Sequence, residues 1–232
     1  MKVGVIVFPG SNCDHDIEHV FGRVLGATVT TLWHKDADIG KQDLLVVPGG
    51  FSYGDYLRTG ALAKLSPVMT SLKKFARAGG PVIGICNGFQ ILCEAGLLPG
   101  VLLQNVSMRF ISQFIHMRVE QRDTPFTRHL KVGSVITCPV AHGDGNFYAS
   151  DEDLNRIEGE GQVILRYTDS KGEVHDSDRA VNPNGSARSI AGICNQQRNV
   201  VGLMPHPERA SEKLIGYIGS DSGRALLQEV MR

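Results

Sequence analysis

The sequence predicts an α/β fold in which a mostly parallel sheet is covered by helices on both faces, with antiparallel strands added in the C-terminal half. Strand and helix patterns alternate through the first hundred residues, and the strands are near-continuous apolar runs, as in a sheet buried on both faces. Beyond residue 101 the strand patterns follow one another across turns, which indicates antiparallel pairing. No repeat or linker divides the 232 residues, so we expect one domain over 1–232.

The first half has clear element boundaries. Apolar strand patterns lie at 2–8, 27–33, 43–47 and 82–85, and helix patterns at 16–26, 66–80 and 87–95. Ser66 is a candidate N-cap for the second helix, and Pro67 suits its first position. Gly79 and Gly96 are expected to end the second and third helices.

In the second half of the chain, the sequence predicts strands joined by turns. Strand patterns lie at 114–120, 134–140, 162–169 and 189–195. The turn residues 196–199 predict a hairpin, and the polar stretch 143–162 is expected to be a long surface loop. No helix pattern stands out between these strands, and a last helix is predicted over 222–232 with Ser222 as its cap.

Composition restricts the classes of function. Lysine plus arginine equals aspartate plus glutamate at 24 each, so the chain has no excess of positive charge with which to bind nucleic acid. The five cysteines are scattered without a C-x-x-C pair, which favours reduced thiols over disulfides or a metal site. The apolar run near Met1 breaks at Pro9 and is too short for a signal peptide or a membrane span. We therefore expect a soluble, cytoplasmic protein with no metal and no membrane partner.

Cys86 lies where the strand 82–85 gives way to the helix 87–95. The pattern Gly84-x-Cys86-x-Gly88 has the spacing of a nucleophile elbow, with sulfur in place of a hydroxyl group. The flanking glycines remove side chains that would obstruct such a sharp turn. The alternative is a small buried residue in a tight turn, since a free cysteine packs as a modest hydrophobe.

Two further strand ends carry residues suited to the same reaction. Gly50 follows the strand 43–47, and its unobstructed backbone N–H is suited to an oxyanion. His206 and Glu208 follow another apolar run. Ligand sites of parallel sheets form beyond the carboxyl ends of the strands, and a cysteine nucleophile needs a base that is itself oriented by a partner. Together these residues favour a Cys86–His206–Glu208 site over the purely structural interpretation.

Six separated motifs resemble one family. The elbow followed by Gln90, the upstream "PGGFSYGDYLR" and the later "MPHPER" resemble the class I glutamine amidotransferases, whose triad is Cys followed by His-x-Glu. With "FPGSNCD", "NVSMRF" and "AHGDG", the likeness extends over almost the whole chain and narrows to the glutaminase subunits of phosphoribosylformylglycinamidine synthase in purine biosynthesis. The resemblance implies a flavodoxin-like fold of the amidotransferase type.

The same resemblance implies an activity and the residues that perform it. Cys86 would attack glutamine and form a thioester, with His206 as acid and base and Glu208 orienting it. The backbone N–H groups of Gly50 and Asn87 would hold the oxyanion. Glutamine would be bound by Phe51, Gln90, His142 and Gly143. The products would be glutamate and ammonia.

The chain lacks a recognisable nucleotide-binding motif, so the reaction that the resemblance implies needs partner subunits. It has no phosphate-binding loop of the G-x-x-x-x-G-K-[ST] type, and no cofactor is expected in it. The resemblance implies a synthetase subunit that binds ATP, magnesium and formylglycinamide ribonucleotide, and a small bridging subunit. Arg109 and Phe110 are candidate contacts with a partner, since arginine and aromatic residues are favoured at interfaces.

Three alternatives have distinct signatures. Another class I amidotransferase, serving GMP, anthranilate or CTP synthesis, would share the triad but not the surroundings of "SNCD" and "HPER". A cysteine peptidase-like enzyme with this elbow would carry histidine directly after the nucleophile, where Asn87 stands. A catalytically silent binding module would not need the intact triad. The segment "HDIEH" at 15–19 has a zinc-peptidase spacing but no third ligand, so we interpret it as a solvated helix face.

Overall fold

The structure, a computed structural model, describes residues 1–231. The strands are β1 (Lys2–Val7), β2 (Thr28–Trp33), β3 (Leu44–Val47), β4 (Val82–Ile85), β5 (Val101–Leu103), β6 (Ile111–Val119), β7 (Val135–His142), β8 (Asn146–Tyr148), β9 (Val163–Thr168), β10 (Ile190–Cys194) and β11 (Val200–Leu203). The helices are α1 (Asp14–His19), α2 (Val68–Arg77), α3 (Asn87–Glu94), α4 (Asp151–Gly159) and α5 (Arg224–Glu229). A π-helical segment, Val20–Val24, continues α1.

One sheet of nine strands organises these elements. Its order is β2-β1-β3-β4-β11-β10-β9-β6-β7. The first five strands pair in parallel, and every pairing beyond β11 is antiparallel. The predicted parallel sheet with antiparallel additions is therefore confirmed. The hairpin predicted at 196–199 is confirmed too, since it joins β10 to β11.

Helices cover both faces of the parallel half. The step from β1 to β2 runs towards one edge of the sheet, and the step from β3 to β4 runs towards the other. Right-handed crossovers therefore place α1 and α2 on opposite faces. The strands between them have to be apolar along their whole length, and all residues of β3 and β4 are buried.

The prediction of a surface loop over 143–162 is wrong. This stretch contains β8 and α4, so the expectation that no helix lies among the later strands is wrong as well. Ser150 caps α4 by accepting a hydrogen bond from the Asp153 N–H at 3.1 Å, and three acidic residues occupy the first turn. Only Leu154 and Ile157 are buried, so the apolar stripe is too short to stand out from the polar sequence.

Two predicted helix caps are also wrong, because tertiary contacts occupy the serine side chains. The Ser66 hydroxyl hydrogen-bonds with Tyr53 Oη at 2.8 Å instead of capping α2. The Ser222 hydroxyl bonds with the backbone N–H and C=O of Thr137, and α5 begins two residues later. The predicted helix ends are confirmed at Gly79 and Gly96, which have φ values of +89° and +70°.

The start of α3 lies unusually close to β3. A methyl group added at Gly88 would lie 1.9 Å from the carbonyl oxygen of Val47. A backbone oxygen in a buried strand cannot move aside without displacing the strand. The position therefore admits glycine alone, as the elbow pattern predicts.

We expect Gly88→Ala to lower the free energy of unfolding by about 3 kcal/mol, because the new methyl group forces α3 away from the sheet. Gly96→Ala is the matched control. Gly96 has a left-handed backbone but nothing within 4 Å of an added methyl group, so we expect a loss of about 1 kcal/mol. Urea unfolding followed by circular dichroism measures both values. Equal losses would contradict the close approach as the cause.

Candidate active site

Three neighbouring parallel strands bring the predicted catalytic residues to one edge of the sheet. Gly84 of β4 is opposite Val47 of β3 on one side and Gly202 of β11 on the other. Cys86 therefore emerges between the loop that starts after β3 and the loop that carries His206. This arrangement follows from strand order and register alone.

Cys86 occupies a strained turn between β4 and α3. Its backbone has φ +52° and ψ −109°, a region that L-residues with side chains rarely adopt. Its N–H donates to the Leu203 carbonyl at 2.8 Å, which holds the turn against β11. A methyl group at Gly84 would lie 2.6 Å from the carbonyl oxygen of Gly88, so both flanking glycines are needed for the turn to close.

His206 lies beside Cys86 and is oriented by Glu208. The imidazole Nδ1 is 2.6 Å from Glu208 Oε1, and both side chains are almost fully buried. The His206 N–H donates to the Pro139 carbonyl at 2.8 Å, which fixes the loop to β7. A methyl group built on Gly49 would lie 2.9 Å from His206 Cε1 and 3.4 Å from Cys86 Cβ. The imidazole and the thiol therefore converge on one backbone position.

The surroundings of His206 favour its protonated form. Burial lowers the pKa of the imidazole, but the charges of Glu208 and Cys86 raise it by more, so its pKa lies above the ordinary value. Nε2 has no hydrogen-bond partner among residues 1–231. This nitrogen is the one suited to exchanging a proton with the thiol, because Nδ1 is occupied by the carboxylate.

Two backbone N–H groups near the thiol are unoccupied. Asn87 is the first residue of α3, so its N–H has no acceptor within the helix. The Gly50 N–H donates to no acceptor in the part of the chain that the structure describes. Gly50 has φ +141°, and a methyl group there would lie 2.7 Å from the Asn12 nitrogen, so the loop requires glycine. Their function as an oxyanion hole stays a prediction.

Two cavities border Cys86. Cys86, Phe51 and Phe110 line both of them. The first has a volume of about 200 Å³, and its remaining walls include Cys13, His206 and Arg209. The second has a volume of about 90 Å³, and its remaining walls include Gln90, His142, Gly143 and Asp144. All four residues predicted to bind glutamine thus line the smaller cavity, although their contact with glutamine stays a prediction.

A chain of side-chain amides ties the walls of the smaller cavity together. Asn87 Oδ1 accepts from the Ser52 N–H at 3.2 Å, and Asn87 Nδ2 donates to Gln90 Oε1 at 2.9 Å. Gln90 Nε2 donates in turn to the Asp144 carbonyl at 2.6 Å. The loops after β3 and β7 are therefore both anchored to α3. The sequence suggested only a backbone role for Asn87, and the side-chain role was missed.

Asn105 is a second buried amide that the sequence analysis did not single out. Its Nδ2 donates to the carbonyls of Arg109 and His142, each at 2.9 Å. Its Oδ1 accepts from the Gly145 N–H at 3.0 Å and lies 3.1 Å from His142 Nδ1. Because Oδ1 can only accept, His142 Nδ1 must carry the proton. Its place inside the motif "NVSMRF" was the only signal in the sequence.

His142 is therefore neutral, and its Nε2 is a hydrogen-bond acceptor. Burial, and then the charge of His206, lower the pKa of His142 to about 4. With the proton on Nδ1, Nε2 presents a lone pair, and this buried nitrogen has no partner within the described residues. A buried acceptor without a donor is costly and points to a ligand that supplies one.

The predicted partner-contact residues lie at the mouth of the site. Phe110 is 55% exposed while lining both cavities, and Arg109 beside it is exposed. Val106 and Met108 of the same segment are exposed apolar residues. A surface of this kind is typical of an interface, although the contact itself stays a prediction.

The other cysteines differ from Cys86 in position. Cys13 lines the larger cavity, and Arg209 Nη2 lies 3.1 Å from its sulfur. Burial is the main cause that raises the pKa of Cys13 to about 12, so it stays a thiol. The three remaining cysteines, Cys93, Cys138 and Cys194, are buried. In the "HDIEH" segment His15 and His19 pair with separate carboxylates on the surface.

This geometry defines a class of protein. Residues 1–222 match the CobB/CobQ-like glutamine amidotransferase domain, and the chain belongs to that family. It is 53% identical over 231 residues to the phosphoribosylformylglycinamidine synthase subunit PurQ of Rubrobacter xylanophilus, covering all of this chain and 98% of the relative. It is 52% identical to the protein of the same name from Salinibacter ruber, covering 99% of this chain and 95% of the relative.

Solved structures agree with these relatives. A chain in the structure of PurLQS from Thermotoga maritima matches with a TM-score of 0.85 and 41% identity, over 99% of this chain and 97% of that one. A glutamine amidotransferase from Thermotoga maritima matches with a TM-score of 0.56 at 16% identity, over 90% and 76% of the two chains, which shows a common fold alone. No helix among residues 1–231 is long and apolar enough to cross a membrane.

The triad geometry predicts unequal effects of its members. His206→Ala removes the imidazole that Glu208 orients beside the thiol, and we expect glutamine hydrolysis to become close to undetectable. Glu208→Gln keeps a polar partner at Nδ1 but removes the charge, so its rate should fall less. We expect its rate to exceed that of His206→Ala by a factor on the order of a hundred. Glutamate release under saturating glutamine measures both. Wild-type rates in His206→Ala would contradict the assignment.

Proposed function

We propose that this chain is the glutaminase subunit of phosphoribosylformylglycinamidine synthase, which hydrolyses glutamine and delivers ammonia for purine biosynthesis. The observation that carries the proposal is the buried pair of His206 and Glu208 beside Cys86, with two cavities that Cys86 lines. The names of the relatives that match over nearly the whole chain support the particular synthase.

The first half of the reaction forms a thioester. Transfer of the Cys86 proton to His206 Nε2 gives the thiolate–imidazolium pair that the surroundings of His206 favour, and Sγ then attacks the carboxamide carbon of glutamine. The negative charge that develops on the carboxamide oxygen is held by the N–H groups of Gly50 and Asn87. His206 then gives its proton to the nitrogen, and ammonia leaves as the tetrahedral intermediate collapses.

The second half regenerates the thiol. His206, again neutral, takes a proton from water as the water oxygen attacks the thioester carbon. Collapse of the second tetrahedral intermediate releases glutamate, and the proton returns to the sulfur. Glu208 keeps the imidazole in one tautomer throughout and stabilises its charged form.

Ammonia is consumed elsewhere in this proposal. A synthetase subunit holds ATP, magnesium and formylglycinamide ribonucleotide, and a small third subunit completes the assembly. The name PurLQS of the matching structure supports an assembly with more than one kind of subunit. Ammonia released into water would become ammonium, so a closed passage between subunits is required. The proposal places the glutaminase in the cytoplasm with its pathway.

Replacing Cys86 distinguishes synthesis that depends on glutamine from synthesis that uses added ammonia. We expect the complex carrying Cys86→Ala to lose glutamine-dependent synthesis while still using added ammonia, because the synthetase site is untouched. In the wild-type chain a glutamine-derived electrophile should modify Cys86 alone, which peptide mass spectrometry checks. Cys13→Ala is the matched control and should keep both activities. Stoichiometric labelling of Cys13, or loss of both activities by Cys86→Ala in an assembled complex, would overturn the proposal.

The position of Phe110 suggests how hydrolysis is coupled to synthesis. Its side chain is half exposed and still lines both cavities beside Cys86. A partner that covers the segment 105–110 therefore acts directly on the walls of the site. Asn105 carries the same displacement to His142, since it bonds to the Arg109 carbonyl and to His142. Uncoupled hydrolysis would waste glutamine, and such a contact can prevent it.

We expect the isolated chain to hydrolyse glutamine slowly and to speed up when the synthetase, ATP and acceptor are present. Arg109→Ala should weaken assembly or stimulation, whereas Lys171→Ala, on an exposed turn elsewhere, should leave both unchanged. Turnover is measured with and without partners, and assembly by gel filtration. If the lone chain already turns over at the rate of the complex, coupling is wrong. If Arg109→Ala changes neither quantity, Arg109 is not a contact.

A further inference from the structure

A buried cluster of three side chains beside the larger cavity has a composition suited to binding a metal. Cys13, His206 and Glu208 each offer one ligand atom, and these atoms lie within 4.8 Å of one another. Cys13 follows β1, whereas His206 and Glu208 follow β11, so the cluster joins loops from two separated strands of the sheet. Cys13 and His206 line the cavity of about 200 Å³, which gives an ion a path to them.

The backbone at Gly49 keeps the space between the two loops open. A methyl group built there would lie 3.0 Å from Cys13 Sγ and 2.9 Å from His206 Cε1. The sulfur and the imidazole therefore approach each other across a glycine, with no side chain of that residue between them. The Cys13 N–H donates to the Gly49 carbonyl at 3.3 Å, which holds the cysteine at this place. The backbone itself thus brings Cys13 close to the catalytic base.

One oxygen of Glu208 is unused in the proposed mechanism. Oε1 lies 2.6 Å from His206 Nδ1, but Oε2 is buried and has no hydrogen-bond partner among residues 1–231. The Glu208 side chain is 0% exposed. A buried carboxylate oxygen without a donor is costly, and a cation beside it removes that cost. This oxygen is an observation independent of the cysteine that points to a positively charged ligand.

The ligand types indicate which cation fits. A thiolate, an imidazole and a carboxylate are ligands of zinc, whereas magnesium and calcium prefer oxygen ligands alone. Bonds of about 2.0 to 2.3 Å hold zinc ligands about 3 to 4 Å apart, so the cluster closes round an ion with small movements. Arg209 Nη2, 3.1 Å from Cys13 Sγ, can still donate to a metal-bound sulfur, and Asp16 pairs with the charge of Arg209 at 3.0 Å.

We propose that Cys13, His206 and Glu208 bind a divalent cation that prefers sulfur and nitrogen ligands, such as zinc, and that the ion reversibly stops glutamine hydrolysis. The effect on hydrolysis rests on the proposed function, whereas the binding does not. An ion on His206 Nε2 prevents this nitrogen from accepting the thiol proton. An ion on Nδ1 displaces Glu208 and forces the remaining proton onto Nε2, with the same result. The inference departs from the expectation of no metal, which the scattered cysteines suggested.

Cobalt(II) is the binding probe, because it replaces zinc and absorbs light characteristically when a thiolate is its ligand. In the full chain, we expect a cobalt–thiolate band in the wild type and in Cys86→Ala, and zinc should abolish it by displacement. Cys13→Ala should lose the band. Its affinity for zinc should fall by at least roughly 10- to 100-fold, the cost of losing even an outer-shell partner. Cys194→Ala, which removes a buried cysteine in β10, should bind like the wild type.

Glutamate release by the complex with the synthetase measures the effect on activity. Zinc should inhibit the wild type, and a chelator should restore the rate. In Cys13→Ala the rate without zinc should match the wild type, while the zinc concentration for half inhibition should rise roughly 10-fold or more. Cys13→Ser keeps the shape but replaces the sulfur with a poor zinc ligand, and it should behave like Cys13→Ala. Circular dichroism checks that both variants are folded.

The outcomes separate the metal site from the function beneath it. A cobalt–thiolate band that disappears in Cys86→Ala and persists in Cys13→Ala would mean that the ion binds the nucleophile, and the proposed site would be wrong. A wild type without such a band, or equal zinc sensitivity of the wild type and Cys13→Ala, contradicts the proposal as well. A wild-type complex that binds cobalt through Cys13 but hydrolyses no glutamine contradicts the proposed function and supports the site.

Discussion

The whole site depends on how closely α3 approaches β3. Gly88 touches the Val47 carbonyl, and this contact lets the chain turn from β4 into α3 within one residue. Cys86 is then pushed into its strained conformation with positive φ. The N–H groups at the start of α3 and the side chains of Asn87 and Gln90 take their positions from the same turn. Catalytic geometry here is a consequence of helix-to-sheet packing.

Around this turn, the fold uses buried polar bonds in place of apolar contacts to order its loops. Asn87, Gln90 and Asn105 are almost fully buried, and each joins segments that are distant in sequence. Amides suit this task because each one donates and accepts without carrying charge. The two fully buried charged side chains beside the thiol are those of the pair His206 and Glu208. The loops are held firmly even though they contain many glycines.

The sequence was sufficient where a local rule dictated the structure. Apolar runs indicated the parallel strands, and glycine spacing indicated the elbow, because both patterns reflect backbone sterics within a few residues. It failed for α4, whose stripe of two buried residues is lost among charged neighbours, and for Ser66 and Ser222, whose hydroxyl groups bond across the fold. Asn105 escaped notice for a related reason. Its role arises from bonds to His142 and Gly145, which lie 37 and 40 positions away.

The place of β11 in the sheet has a consequence for the order of folding. This strand pairs with β4, more than a hundred residues earlier in the chain, and it is inserted between β4 and β10. Until it arrives, β4 is an open edge whose unpaired N–H and C=O groups can pair with another chain. Contacts of such sequence separation form slowly, so the edge is covered late in folding. The segment that covers the edge also brings in His206. The pairing that covers this edge of β4 and the arrival of the base beside the thiol are therefore one and the same folding step.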